Sequence, residues 1–233
     1  MLTLHKNSQR GTADHGWLQS NHSFSFGSYY NPDEMGFGPL RVINEDRVQP
    51  KKGFGEHGHD NMEIISYVLS GSLEHKDSMG NGSVIRYGDV QRMSAGTGVR
   101  HSEFNHSENE RVHFLQIWIQ PNVQNIEPSY EEKHFNAESK KGILRLIASA
   151  DGREGSVVVH QDVSVYASIM NGEDRIKQIL LPSRTAYLHL IRGQITVNGL
   201  QLAAGDSLKV ANESELTIDN AANAEFLLFD LSY

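Results

Sequence analysis

The chain has 233 residues, with 21 Lys and Arg against 29 Asp and Glu, and no cysteine. Disulfides, thiolate metal ligands and thiol catalysis are therefore excluded, and a net charge of −8 without a basic stripe argues against direct nucleic-acid binding. Hydrophobic residues make up 38%, no apolar run approaches the roughly 18 residues of a membrane span, and no signal peptide opens the chain, so a cytoplasmic location is expected.

Helical periodicity is scarce. Short alternating runs bounded by Gly, Asn, Asp and Pro recur throughout, with 21 glycines in all, and this pattern predicts antiparallel strands in a sandwich or barrel. The first stretch with evident chemistry is "GFGEHGHDNM", residues 53–62. Side chains at i and i+2 of a strand share a face about 6.6 Å apart, so His57 and His59 can converge on one ion. Gly58 between them leaves room for close backbone approach. In a chain with twelve histidines, two solvent-facing imidazoles are the plainer reading of this pair. Glu63, of the same strand parity, could face the ion, hydrogen-bond a ligand imidazole, or point outward.

"MEIISYVLSGSLEH" (62–75) predicts two strands turning at Gly71, followed by a Gly88-Asp89 turn. "SAGTGVRHSEFNHS" (94–107) then supplies His101 and Glu103, a second i, i+2 pair on a strand that a barrel can fold back beside the first. Three imidazoles and a carboxylate suit one divalent metal with open positions, and Fe(II), Mn(II), Co(II), Ni(II), Cu(II) and Zn(II) all accept such a shell. The alternative is a polar loop in which Glu103 pairs with Arg100 or Arg111. "HFLQIWIQP" (113–121) predicts another strand, and "SYEEKHFNAES" (129–139), just after Pro128, a short helical connector.

Beyond the connector, "SVVVHQDVSVYASIM" (156–170), "YLHLIRGQITVNG" (187–199) and "AEFLLFDLSY" (224–233) read as strands. Both halves run strand, Gly, strand, Asn-Gly turn, strand, Gly-Asp, strand, which suggests a duplicated unit. The expected domains are 1–130 and 140–233. Counted from the matching glycines, the places of His57, His59, His101 and Glu103 fall on Ile179, Leu181, Ile218 and Asn220. His189 stands alone in "YLHLI". The second domain is expected to carry no metal.

These residues resemble the motifs of the cupin superfamily, and the whole chain is similar to pirin-family bicupins. "HSFSFGSYYNPDEMGFGPLRVINEDRV" (22–48), "HGHDNMEIISYVLSGSLEHKDSMGN" (57–81) and "FLQIWIQP" (114–121) carry the likeness, closely in the first domain and loosely in the second. The resemblance implies an all-β fold of two antiparallel cupin barrels. It implies His57, His59, His101 and Glu103 as ligands of one divalent metal, Fe(II) first among the candidates, with Glu63 outside the shell. The chain departs from the general second cupin motif, with Ser94 where proline is usual and two extra residues before His101.

The closest likeness is to bacterial pirin-like quercetin 2,3-dioxygenases. This implies a flavonol and dioxygen as substrates, Glu103 as the base that takes the 3-hydroxyl proton, and ring opening with loss of carbon monoxide. Substrate would enter past residues such as Phe54 and Phe104. Other pirins resemble non-enzymatic regulators, so a metal-binding interaction module with a protein partner is the alternative.

Overall fold

The structure is a computed structural model and describes residues 1–232. It divides into two compact β units. One gathers Gly11–His134 and Val157–Gln161, and the other gathers Met1–Arg10, Phe135–Ser156 and the chain from Asp162 onward. The division thus departs from a single cut at 130–140 in two places. The first ten residues join the C-terminal unit, and a five-residue strap from the second half joins the N-terminal one.

The first strand, β1 (Leu2–His5), belongs to the C-terminal unit. In the N-terminal unit, β2 (Gly11–Asp14), β3 (Leu18–His22) and β4 (Leu40–Val48) lead to β5 (Gly53–His59), which carries the histidine pair. Hairpins then form β6 (Glu63–Ser70), β7 (Ser72–Asp77), β8 (Gly82–Arg86) and β9 (Asp89–Ser94), followed by β10 (Val99–Asn105), β11 (Val112–Ile119) and β12 (Ser129–His134). The short β14 (Val157–Val158) completes the unit, after β13 (Arg145–Ser149) of the other.

The N-terminal strands form two sheets, β12-β9-β6-β11-β4-β3-β2 and β5-β10-β7-β8. Leu73 and Ile85 from the smaller sheet pack with Val48, Val68, Val112 and Phe114 from the larger, all of them fully buried. Burial of such side chains is the main stabilising term for a two-sheet core. β10 alternates buried and exposed positions along its length, the period-2 pattern of a strand with one wet face.

The C-terminal unit continues with β15 (Val163–Gly172), β16 (Ile176–Ile179), β17 (Arg184–Val197), β18 (Leu200–Ala203), β19 (Ser207–Val210) and β20 (Glu215–Ser232). Its central order is β1-β19-β17-β20-β15-β13, with β16 on β20 and β18 on β17. Its core packs Leu188, Leu190, Leu208, Leu216, Phe226 and Leu228. β1 pairs with β19 in register from Leu2↔Val210 to His5↔Ser207, which explains why the N-terminus groups here.

The expected helix at 129–139 does not form. Ser129–His134 is an edge strand on β9, paired from Ser129↔Ser94 to His134↔Asp89, and only Glu138–Lys140 makes a 3₁₀ turn. Of the acidic pair that reads as helical, Glu131 is held by distant partners and Glu132 by a neighbour on the same strand. Glu131 accepts from Arg92 Nη2 (3.3 Å) and from the Val158 amide (2.7 Å), and Glu132 accepts from the Tyr130 hydroxyl at 2.7 Å.

Among the described residues no helix is long and apolar enough to cross a membrane.

Candidate metal centre

The two histidine-bearing strands lie side by side. β5 pairs antiparallel with β10, and His57 stands directly opposite His101. One step further the register shifts, so that Glu103 faces Phe54. Gly55 and Glu56 therefore bulge opposite Ser102, a device common beside functional sites because it re-aims side chains. The bulge also fixes a tautomer: His57 Nδ1 lies 2.8 Å from the Gly55 carbonyl oxygen, so Nδ1 carries the proton and Nε2 keeps its lone pair.

Three Nε2 atoms meet at one point. His101 Nε2 is 3.1 Å from that of His57 and 3.0 Å from that of His59. Burial, and then the proximity of His57, lowers the His59 pKa to about 4. Burial and both neighbours push His101 down further. Lone pairs of neutral imidazoles facing one another across about 3 Å repel unless a proton or cation sits among them, so the donor set fits a divalent cation.

Glu103 adjoins this cluster through His101. Its oxygens group with His101 and His75, not with His57 and His59. Two donors hold the carboxylate: Ser66 Oγ to Oε1 (3.1 Å) and Gln116 Nε2 to Oε2 (2.7 Å). Complete burial raises its pKa to about 7, against the pull of those two hydrogen bonds.

Glu63 turns elsewhere. It accepts from Ser94 Oγ (2.9 Å) and the His160 amide (3.1 Å), and its Oε2 lies 3.3 Å from His160 Nδ1. The serine that replaces a proline of the general motif thus has a local role, as a donor to a buried carboxylate.

His75 carries a signal that the reading of spacing passed over. It forms a further i, i+2 pair with Asp77 on β7, with Nε2 3.0 Å from Asp77 Oδ2, and its ring centroid is 5.3 Å from that of His101. Gly58, by contrast, is not where the backbone crowds. A Cβ there would meet nothing closer than 3.8 Å, whereas at Gly53 it would lie 2.2 Å from the Glu103 carbonyl oxygen. The close approach of β5 to β10 is at the start of the strand, four residues before the first histidine.

A cavity of about 400 Å³ reaches the cluster at His57. His57, Glu103 and Gln116 line it together with Trp17, Phe26, Phe54 and Trp118. Two edge-on pairs, Trp17–Phe54 and Phe26–Trp118, each with centroids 5.5 Å apart, build its walls, and Trp118 also packs on His59 at 5.0 Å. Phe54 is thus a cavity residue, while Phe104 points to the exposed face of β10.

In the C-terminal unit, His189 is buried with Nδ1 2.9 Å from Ser207 Oγ. Ile179 and Leu181 are exposed and Ile218 is buried. Among the described residues, both groups of convergent potential ligands lie in the N-terminal unit.

Two β units in one chain, the first with convergent imidazoles at a cavity, define a two-barrel cupin. Family comparison makes this specific. The family model described as Pirin matches residues 3–119, and that described as the quercetinase C-terminal cupin domain matches 146–231. The chain is 45% identical over 232 residues to the quercetin 2,3-dioxygenase of Escherichia coli K12, covering 99% of each. The crystal structure of YhhW from Escherichia coli superposes with a TM-score of 0.96 at 43% identity, covering 99% of this chain and 97% of that one. The bacterial pirin YhhW in complex with nickel(II) gives 0.95 at 42% identity, covering 100% and 99%. This chain belongs to the pirin family.

Proposed function

We propose that the protein is a metal-dependent dioxygenase that opens the heterocycle of flavonols such as quercetin. The observation that carries this reading is the meeting of the three Nε2 atoms of His57, His59 and His101 at the end of an aromatic-walled cavity that also exposes Glu103. A cavity of that size falls in the range of small-molecule sites. Its opening onto His57 and Glu103 favours an enzyme over a closed metal-binding module. The names of the relatives and the nickel(II) bound to one of them support the same class.

His57, His59 and His101 would hold the metal, with Glu103 as the adjoining carboxylate. A divalent metal there supplies Lewis acidity toward a hydroxyl or carbonyl oxygen of the substrate.

The chain's own residues do the rest. Glu103 accepts the proton of the flavonol 3-hydroxyl. Its place on the cavity wall, with its oxygens already oriented, puts it within reach of that proton. Ser66 and Gln116 each donate to one of its oxygens, which fixes the carboxylate plane. Trp17, Phe26, Phe54 and Trp118 offer ring surfaces for a flat aromatic substrate and exclude water from the reacting end. Both atoms of dioxygen enter the organic product, and one ring carbon leaves as carbon monoxide.

The test is to purify the protein anaerobically, load separate samples with Fe(II), Co(II), Ni(II), Mn(II), Cu(II) and Zn(II), and follow dioxygen uptake with quercetin. Uptake with at least one metal, abolished by His101→Ala, is the expected result. No uptake with any metal refutes the reading.

A further inference from the structure

One part of the cavity has no role in the reaction proposed above. Opposite the imidazoles, its floor is crossed by polar side chains at matched register positions. His22 faces Asn44 across β3 and β4, Asn44 faces Gln116 across β4 and β11, and Ser20 faces Asp46 one pair further along. All five line the cavity and all five are buried. Along β4 the same face carries Leu40, Val42 and Val48, each buried, so Asn44 and Asp46 interrupt an otherwise apolar row. A buried polar group costs free energy, and its presence in a core strand calls for an explanation.

The chemistry of this strip is that of an acceptor. Asp46 is a carboxylate with only lone pairs to offer. His22 Nδ1 lies 2.8 Å from Asn44 Oδ1, which places the ring proton on Nδ1. Neither Lys nor Arg lines the cavity, while Asp46 and Glu103 both do, so an anionic ligand is disfavoured over a neutral hydroxyl donor. The strip begins at Gln116, which holds Glu103, and ends two strands away at His22. Two strand spacings make about 10 Å, a length that a two- or three-ring aromatic bridges.

We propose that Ser20, His22, Asn44 and Asp46 form a second subsite, which accepts substrate hydroxyl groups other than the reacting one. Asp46 and Asn44 determine the specificity, and the cavity selects neutral polyhydroxylated aromatics. This rests on the dioxygenase reading only for the orientation of the substrate, with its reacting end at Glu103.

The experiment measures binding without turnover. Metal-loaded protein is titrated anaerobically with quercetin and with 3-hydroxyflavone, which keeps the reacting hydroxyl and carbonyl but has no other hydroxyl. Quenching of Trp17 and Trp118, both on the cavity wall, reports occupancy. Wild type should bind quercetin about tenfold or more tightly than 3-hydroxyflavone, the usual scale for hydrogen bonds to a charged group. Asn44→Ala should reduce that ratio toward one while leaving 3-hydroxyflavone affinity unchanged, and Asp46→Ala, which also removes a charge acting on Glu103, should reduce the ratio whatever shift it causes in both affinities. If the variants do not fold, the wild-type ratio alone decides. Equal affinities in wild type, or a ratio unaltered in both variants, overturn the subsite. Carbon monoxide release without a hydroxyl-dependent preference removes the subsite alone; the preference without carbon monoxide removes the dioxygenase alone.

Discussion

His57 and His101 face each other across the β5–β10 pairing, with their Nε2 atoms 3.1 Å apart and the His57 Nδ1 proton bound by the Gly55 carbonyl. That relationship converts two strands into one binding point, and stability should depend on what occupies it. A ligand that binds only the folded state stabilises it by about 2.7 kcal/mol at roughly 100 times its Kd. Removing metal with a chelator should therefore lower Tm by about 5–10 °C, given roughly 2–4 °C per kcal/mol for a chain of this size. His57→Ala should abolish the metal-dependent part of Tm. Calorimetry of chelated and reloaded samples checks both.

The two carboxylates should separate cleanly. Glu103→Gln keeps an acceptor for Ser66 but loses the base, so turnover should fall about 10²–10⁴-fold while elemental analysis still finds metal on the three imidazoles. Glu63→Ala should leave metal content and turnover intact. It strips the partners of Ser94 and the His160 amide, and should cost about 3 kcal/mol in stability, measured by denaturant unfolding.

The two glycines of the first histidine strand should also differ. Gly53→Ala drives a Cβ against the Glu103 carbonyl oxygen and the Phe104 Cα, at 2.2 and 2.5 Å, so β5 must move away from β10. Backbone shifts of this kind cost about 1–3 kcal/mol, and metal affinity should weaken with the displaced histidines. Gly58→Ala meets only ordinary contacts at 3.8 Å and should bind metal as wild type does. Competition with a chromophoric chelator distinguishes them.

Strand parity explains how much of this site can be read from sequence. The pairs His57/His59 and His101/Glu103 are visible because i, i+2 spacing fixes a shared face before any tertiary contact is known. The β5 bulge is not visible, since it depends on the pairing register. His75 has the same spacing with Asp77, yet its place beside His101 comes from β7 pairing with β10. The segment 129–139 reads as helix because its glutamates look solvated. The partners of Glu131, Arg92 and the Val158 amide, are distant in sequence. For the same reason the β1–β19 pairing escapes a reading that divides the chain at its connector.

The reaction proposed for this site is ring-opening dioxygenation. Its most direct test is the carbon monoxide released per quercetin consumed by metal-loaded wild-type protein, with Glu103→Gln run in parallel. One carbon monoxide for each quercetin, lost in the variant, is predicted. Consumption of quercetin without carbon monoxide, or equal release by the variant, would contradict it.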